Sequence, residues 1–556
     1  MKKIVLTLLG LISFWAVSAQ WNQAADHQVT KENILGFEAK TNSDGITFVA
    51  FQCLAPEDPE KQGDRYSEGH DVAYYLQIIS PDGINIFPNE GKLISHEPSR
   101  SFTMGDDNGV MVDDDGNAIL IVKDERNWNN SSYPNQSYFV YKVSPAGEFL
   151  WDEALDLNRG YAYYMVANIK VVQLTDGSYI FAHEIRPDEN KAYIVIEKVS
   201  KNGELIWEQP MLMDNSAISY TYPYLVDAGN GNFIMAYSKS PGTQMYAQKF
   251  DFDGEKQWSD EVAIYRGGFP SGAFPHTAFR VIPDRKGGII AAWHDDRYNS
   301  TYEKAYVSHI LSNGRQAFIT SGDEEGLRLS YNPNIRALRP YMAYDPETDF
   351  LYALWEEDDK VQNFRSIVLQ KISKEGELFW ENTILEEENT NGIVLDNDYL
   401  PAAVGYQTIQ MASEGKIAVF WQHNYSEATE NIATLIDVTG EAPQFVWEEP
   451  YYVFSGRETS KAGLVSLPLF NNDHFLTFWH DYRINNAQAI FAHKISLTDP
   501  TGVYSPNAGS SEITGCEYYN ISGIKLNRKP IEGFYIEKAI KSDGSFEVKK
   551  NFIINH

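Results

Sequence analysis

Apolar and polar positions along this chain fall into one unit that recurs eight times. Each copy opens on a turn rich in Gly, Asn or Asp, runs on through apolar residues, and stops at an aromatic or small apolar residue followed by a polar cluster. The runs are Asp44-Gly45 to Phe51, Asp115-Gly116 to Val122, Asp176-Gly177 to Ala182, Asn230-Gly231 to Tyr237, Gly287-Gly288 to Trp293, Thr348-Asp349 to Trp355, Glu414-Gly415 to Trp421 and Asn472-Asp473 to Trp479. Their end points lie 71, 60, 55, 56, 62, 66 and 58 residues apart. A period of this size marks a repeat architecture.

The same pattern predicts four short strands per copy. In the fifth, Phe279 to Pro283 reads as the first, Gly288 to Trp293 as the second, Tyr302 to Leu311 as the third and Arg315 to Thr320 as the fourth. Four strands per repeat over eight repeats select an all-β, eight-bladed β-propeller, with a seven-bladed ring as the rival. A second signature lies between the third and fourth strands, a Gly turn with Trp four residues on. It appears as Gly147 to Trp151, Gly203 to Trp207, Gly254 to Trp258 and Gly376 to Trp380. Gly supplies the positive φ of a tight turn, and the flat Trp suits the wedge between neighbouring blades. The eighth copy ends after its third strand, near Ile490 to Leu497. Trp21-Asn22-Gln23-Ala24-Ala25-Asp26 resembles the fourth-strand piece Trp151 to Asp156. Residues 20 to 30 are therefore expected to close the last blade from the N-terminus, which removes an open edge.

Both ends carry addresses. Lys2, Lys3, the apolar run Ile4 to Val17 and the small-x-small Val17-Ser18-Ala19 read as a signal peptide over residues 1–19. No later run approaches a membrane span, so the expectation is a secreted or outer-surface protein that is not transmembrane. The propeller is expected over 20–500, a Gly/Ser/Pro linker over 501–512 and a small β segment over 513–556. In that segment Tyr518-Tyr519-Asn520-Ile521-Ser522-Gly523-Ile524-Lys525-Leu526, Gly533-Phe534-Tyr535-Ile536-Glu537 and Val548-Lys549-Lys550 resemble the C-terminal sorting domains of Bacteroidetes cargo for the type 9 secretion system. The segment departs from that pattern in Leu526, in Phe534 and in a less basic close. The resemblance implies the type 9 machinery as a partner, passage across the outer membrane, and release or surface attachment. The body likewise resembles secreted bacterial propeller repeats of the form G-G-x-x-x-A-W-x-D-x-R, best matched at Gly287 to Arg297. That likeness is architectural and specifies no reaction.

Charge narrows the partners. The formal charge is −31, and removal of Lys2 and Lys3 takes it to −33. Such a surface repels phosphate backbones, which argues against nucleic acid. Cys53 and Cys516 fit a disulfide or two free thiols equally, and no Cys/His cluster suggests zinc.

Candidate chemistry follows the second strands: His294-Asp295-Asp296-Arg297, His480-Asp481-Tyr482-Arg483, His183-Glu184-Ile185-Arg186 and Lys123-Asp124-Glu125-Arg126. Glu356-Glu357-Asp358 and Gln422-His423-Asn424 take the same place in other copies. This puts His294, Asp295, Arg297, His480, Asp481, Arg483, His183, Glu184, Arg186, Asp124 and Arg126 on one face as ligand candidates. The competing reading makes each Asp or Glu an ion-pair partner of its Arg, and repetition favours it, because a site needs distinct residues whereas structure reuses the same ones. The Gly-to-Trp spacing of four and the lack of a central Asp argue against sialidase boxes. Asp113-Asp114-Asp115-Gly116-Asn117 hints at calcium, which stays open as a cofactor, although Met111 stands where an EF-hand-type loop needs a ligand. No cofactor is otherwise identified, and no nucleophile-elbow, zincin, Walker or dinucleotide motif occurs in a suitable context. Two functions fit: a non-catalytic binding or interaction propeller for glycan or protein, favoured by the uniform copies, and a carbohydrate-active hydrolase or lyase using carboxylates or His.

Overall fold

Each of the eight apolar runs becomes the second strand of an antiparallel blade. Such a strand has neighbours on both edges and a blade against each face, so it is buried all round and reads as an unbroken apolar run rather than an alternation. Ala118–Asp124 and Ile289–Asp295 are buried at every residue. The computed structural model describes residues 26 to 496 except 55–71, 98–108, 128–135, 268–278, 319–324, 381–391 and some breaks of four residues or fewer, together with strand residues between 513 and 553. The expected signal peptide, residues 1–19, and the expected linker, residues 501–512, fall outside the described residues.

The blades span 34–95, 110–156, 165–213, 220–265, 279–328, 336–399, 403–455 and 461–496. The first strands of successive blades touch around the ring, and the first strand of blade 1, Ile34–Thr41, meets that of blade 8, Lys461–Leu469, to close it. The molecule is an eight-bladed β-propeller, which settles the choice against seven. Closure comes from the N-terminal side as expected: His27–Gln28 is the outer strand of blade 8, with His27 opposite Ala492 and Gln28 opposite Phe491. Gln28 thus takes the place of Asp156 in blade 2, which lies opposite Phe139. The aligned Asp26 sits two residues earlier and bonds Arg483, Ser455 and His493.

The core lies between blades. Trp293 of blade 5 packs with Val226, Ile234 and Ala236 of blade 4, and Trp479 of blade 8 with Phe420 and Leu435 of blade 7. The turn signature works the same way. The Trp151 indole donates to the Lys201 carbonyl in the next blade's turn (3.2 Å), Trp258 to that of Ser312 (3.0 Å), and Trp380 to that of Glu441 (3.1 Å). Gly203 has φ +85°, and a Cβ there would stand 2.6 Å from the Trp151 ring, so both the backbone and the close approach require Gly.

One strand assignment fails. In blade 5 the outer strand is Leu327–Arg328, opposite Val307 and Tyr306. Of the expected fourth strand, Arg315 to Thr320, the described residues 315–318 instead belong to the turn, tied to the third strand through Leu311 to Arg315, Ala317 to His309 and an isolated bridge between Ile310 and Gln316. Two-residue outer strands leave little periodicity to read. After residue 497 the chain separates as a second compact unit, and its strands pair in the order Lys525–Leu526, Ile513–Tyr519, Gly533–Lys541, Phe546–Ile553. Among the described residues no helix is long and apolar enough to cross a membrane. Cys53 is buried and Cys516 exposed, and neither forms a disulfide among the described residues.

Candidate functional site

The second strands all end on the face where the first strands begin, so the polar clusters and the channel mouth share that face. The Asp-x-Arg clusters there are absorbed by structure. Asp295 accepts the Arg297 guanidinium (2.6 Å), its backbone amide (3.1 Å) and the Trp293 indole (2.8 Å). Arg297 in turn lies over Tyr306 (4.0 Å) and over Tyr265 of the preceding blade (4.6 Å). Asp481 repeats the arrangement with Arg483 (2.5 Å), its amide (2.9 Å) and Trp479 (3.0 Å), and Arg483 lies over Phe491. Asp124 binds Arg126 (2.6 Å), which lies over Phe139. All three carboxylates are fully buried. Burial opposes the charge on Asp481, but Arg483, Thr459 and Trp479 outweigh it and hold the carboxyl below its usual range. At Asp124 burial wins over Arg126 and raises it.

Elsewhere the same indole finds another acid. Trp355 donates to Glu357 (3.1 Å), which burial pushes up. Trp421 donates to Asp396 of the outer strand (2.6 Å), because His423 stands where the carboxylate would be, 3.4 Å from that same Asp396. The acidic turn is likewise occupied by lysines: Asp113 binds Lys142 (2.8 Å) and Tyr179 (2.9 Å), and Asp115 binds Lys201 (2.6 Å). Among the described residues no group of three or more His, Cys, Asp or Glu side chains could hold a metal ion.

Blade 3 departs from the expected alignment by one residue. Counted from the left-handed turn residue, the aromatic comes six positions on in blades 1 and 4 to 7, from Gly45 to Phe51 and from Gly287 to Trp293. Six from Gly177 is His183, not Ala182. The pairing agrees: the first strand of blade 3 bulges opposite His183, as that of blade 6 bulges opposite Trp355. His183 is therefore the core residue, wholly buried, edge-on to Tyr138, with both ring nitrogens unbonded and its pKa lowered to about 3 by burial. Glu184 moves to the place of His294, and its pair with Arg186 (2.8 Å) lies on the opposite sheet face from the Asp295–Arg297 pair.

With that register, one position per blade ends the second strand on the side facing the next blade. It holds Gln52, Lys123, Glu184, Ser238, His294, Glu356, Gln422 and His480, polar in every blade and different from one to the next. Beside it the first strands of blades 3, 4, 6 and 7 bulge, and each bulge holds a non-glycine residue in the left-handed region: Asn168 (φ 56°), Tyr222 (51°), Arg339 (49°) and Tyr406 (50°). Bulges of this kind re-aim side chains and store strain. Asn168 donates to Glu184 (2.9 Å) and Arg339 to Glu356 (3.2 Å to each oxygen). The Arg339 amide donates to His294 Nδ1 (3.2 Å), and Gln407 donates to the Arg339 carbonyl (3.1 Å). Blades 5, 6 and 7 are thus linked at the mouth.

Burial, with Arg339, Arg336 and Arg280 adding to it and Glu303 opposing, lowers His294 to about 4. Burial alone lowers His480, edge-on to Phe37 of blade 1, to about 4. Glu356 is raised by burial, only partly offset by Arg339, Arg365 and Gln407. By contrast the side chain of Arg339 is 51% exposed and Tyr406 is 51% exposed. Of the candidates from sequence, His294, His480 and Glu184 with Arg186 reach the mouth. Asp295, Arg297, Asp481, Arg483, Asp124 and Arg126 form buried ion pairs, each within its own blade, and His183 is core. Sequence reading missed Asn168, Tyr222, Arg339 and Tyr406. The signal present for two of them was Pro223 and Pro340, which follow the bulge residue in strands that Pro would otherwise interrupt.

Ring and mouth together define a β-propeller with a polar, non-repeating channel opening. No protein-family model matches the chain, and no curated protein matches it. Among solved structures the chain is similar to the polysaccharide lyase Uly1, at 9% identity and TM-score 0.43 over 85% of this chain and 99% of that one. It is similar to a PL25 ulvan lyase at 13% and 0.39, over 78% and 95%. It is similar to the propeller of Dos1 at 10% and 0.39, over 85% and 95%.

Proposed function

We propose that this is an exported binding propeller whose ligand, a glycan, meets the channel mouth at the bulges of blades 3, 4, 6 and 7. The observation that supports it is strain kept without repetition. Four equivalent bulges hold Asn168, Tyr222, Arg339 and Tyr406 at positive φ, one amide, one guanidinium and two phenols, while the repeated Asp-x-Arg clusters are consumed by the fold. Left-handed backbone costs a non-glycine residue about 1–2 kcal/mol, and ring stability alone would be served better by glycine, as Gly463 serves blade 8. In the same proposal residues 1–19 act as a signal peptide and the C-terminal β segment as a type 9 sorting domain, so that the ligand is met outside the cell.

A second reading, a carbohydrate-active enzyme, is favoured by one feature. Glu356 is a buried carboxyl raised above its ordinary range at the mouth, which is the property a general acid needs. Retention of the full chain on a broad glycan array, with mass spectrometry of the eluted glycans, tests both. Retention that falls in Tyr406→Gly, with glycans of unchanged length, is the expected result. Shortened glycans establish the enzyme instead, and retention untouched by Tyr406→Gly removes the mouth as the site.

A further inference from the structure

The channel wall inverts the charge of the molecule. The eight innermost strands, within the described residues, carry the cations Lys40, Lys170, Arg280, Arg336, Arg339 and Lys461 against the carboxylates Glu38, Asp227 and Asp345. The whole chain has 46 Lys and Arg to 77 Asp and Glu. Asp227 and Asp345 sit at the far ends of their strands, away from the mouth, where they accept the turn amides of Gly229 and Glu347. Glu38 accepts the Gly109 amide (2.9 Å). Cations therefore dominate the wall.

Three of these six cations have structural duties. Arg336 pairs with Glu303 and Asp358, Arg280 lies over Tyr341 (4.1 Å), and Lys461 is buried against the carbonyls of Thr429 and Gly456. Arg339 is different. Its left-handed bulge turns it outward, its side chain is half exposed, and its one described ion pair uses Nη1 on Glu356. Among the described residues its Nε and Nη2 make no hydrogen bond. A guanidinium offers five donors in a fixed fork matched to planar or tetrahedral oxyanions. The exposed ring of Tyr406 takes the equivalent place in the next blade, and the Gln407 bond to the Arg339 carbonyl holds the two bulges side by side.

We propose that the channel mouth binds an acidic glycan, with Arg339 pairing a carboxylate or sulfate group of the sugar and Tyr406 stacking on the ring that bears it. This rests on the binding reading above and names its ligand class. The rest of the surface repels polyanions at −31, so binding must come from local attraction at the mouth and weaken with salt.

The test measures binding of the full chain to polygalacturonate, dextran sulfate, neutral dextran and poly-glutamate, at low and high salt. The expected result is salt-sensitive binding to an acidic glycan and none to neutral dextran or poly-glutamate. Arg339→Gln should weaken it at least tenfold, a step of about 1.4 kcal/mol, with the melting temperature kept. Preference for polygalacturonate identifies a carboxylate, and preference for dextran sulfate identifies a sulfate. The double variant Arg339→Gln/Glu356→Gln, which leaves no buried charge unpaired, should lose binding equally and guards against a folding defect. Equal binding of neutral dextran or poly-glutamate overturns the proposal, as does wild-type affinity in both variants. Neutral-glycan binding that Tyr406→Gly abolishes would end the acidic-ligand proposal and keep the mouth as a binding site, whereas no binding to any glycan would end both.

Discussion

The Asp295–Arg297 pair in blade 5 and the Glu356–Arg339 pair in blade 6 each join a buried carboxylate to an arginine, yet they do different work. In the first, Arg sits two residues after Asp on one strand, the carboxylate is fully buried and also takes the Trp293 indole, and the guanidinium is sandwiched by Tyr265 and Tyr306. The Arg297 guanidinium also donates to the Glu325 carbonyl, blade 8 repeats the carboxylate, indole and aromatic contacts, and blade 2 repeats them without the indole. In the second, Arg339 comes from a strained bulge, reaches Glu356 with one nitrogen, and leaves half its side chain in solvent. Among the described residues no other bulge makes an ion pair of this kind, and blade 3 has the neutral Asn168 bonded to Glu184 in its place. An ion pair that recurs with its carboxylate wholly buried against aromatic rings is mortar, and one that is strained and half open is a place for something else to bind.

The sharpest way to break this comparison is Asp295→Ala. It strands the Arg297 charge and the Trp293 indole N–H between blades 4 and 5. Removing one partner of a buried pair costs about 3–5 kcal/mol, and urea unfolding should show a loss of that size with glycan retention unchanged in the protein that remains folded. If the same substitution left stability intact while abolishing retention, the pair would be a ligand group and the comparison would collapse.

The next effect is one of pH. Burial lowers His294 from its ordinary value of 6.5 to about 4, with Arg339, Arg336 and Arg280 adding and Glu303 opposing. The unfolded chain therefore binds the extra proton first. The stabilisation from neutral His294 is complete above pH 6.5 and is lost as pH falls toward 4. At 1.36 kcal/mol per pKa unit, the full loss is about 3 kcal/mol. His294→Gln, which keeps an acceptor for the Arg339 amide, should flatten the acid limb of the stability profile by about that amount. An unchanged limb would mean that His294 is solvated, and so not part of the closed joint between blades 5 and 6.

Gly203→Ala probes the opposite face, where the comparison predicts no functional effect at all. The left-handed φ and the 2.6 Å approach of a Cβ to Trp151 together should cost about 2 kcal/mol in thermal unfolding. Glycan retention of the folded protein should not change, and any specific loss would place ligand contacts on that turn face.

How far the sequence carries one toward this picture differs between the two regions. The ring was legible because burial on both faces forces uninterrupted apolar second strands, and because Gly203 and its equivalents must be glycine for the Trp wedge to fit. The Asp-x-Arg pairs were legible as pairs, since i and i+2 on a strand share a face. The mouth was not. Its ring position depends on the register of a neighbouring strand, and a one-residue slip in blade 3 exchanged a core residue, His183, for a mouth residue, Glu184. Counting six from Gly177 would have caught that slip. Arg339 and Tyr406 were hidden for a different reason: a bulge has no period, and although Pro340 marks a break after Arg339, no such residue follows Tyr406.

The smallest effect separates the regions by sign. Tyr406 holds φ 50° with its ring half exposed, so it contributes little burial to set against its backbone strain. Tyr406→Gly removes that strain but adds freedom to the unfolded chain, and the two terms nearly cancel. Stability should move by no more than about 1 kcal/mol, and upward if strain dominates. Retention on glycan should fall in the same variant. Substitutions in the ion-pair layer lower stability and spare binding, so a variant that spares or raises stability and loses binding is the signature that only a functional position can give. A Tyr406→Gly protein that unfolds more easily by several kcal/mol would show instead that the bulge is a joint between blades 6 and 7, held closed by packing, with its strain serving the ring rather than a ligand.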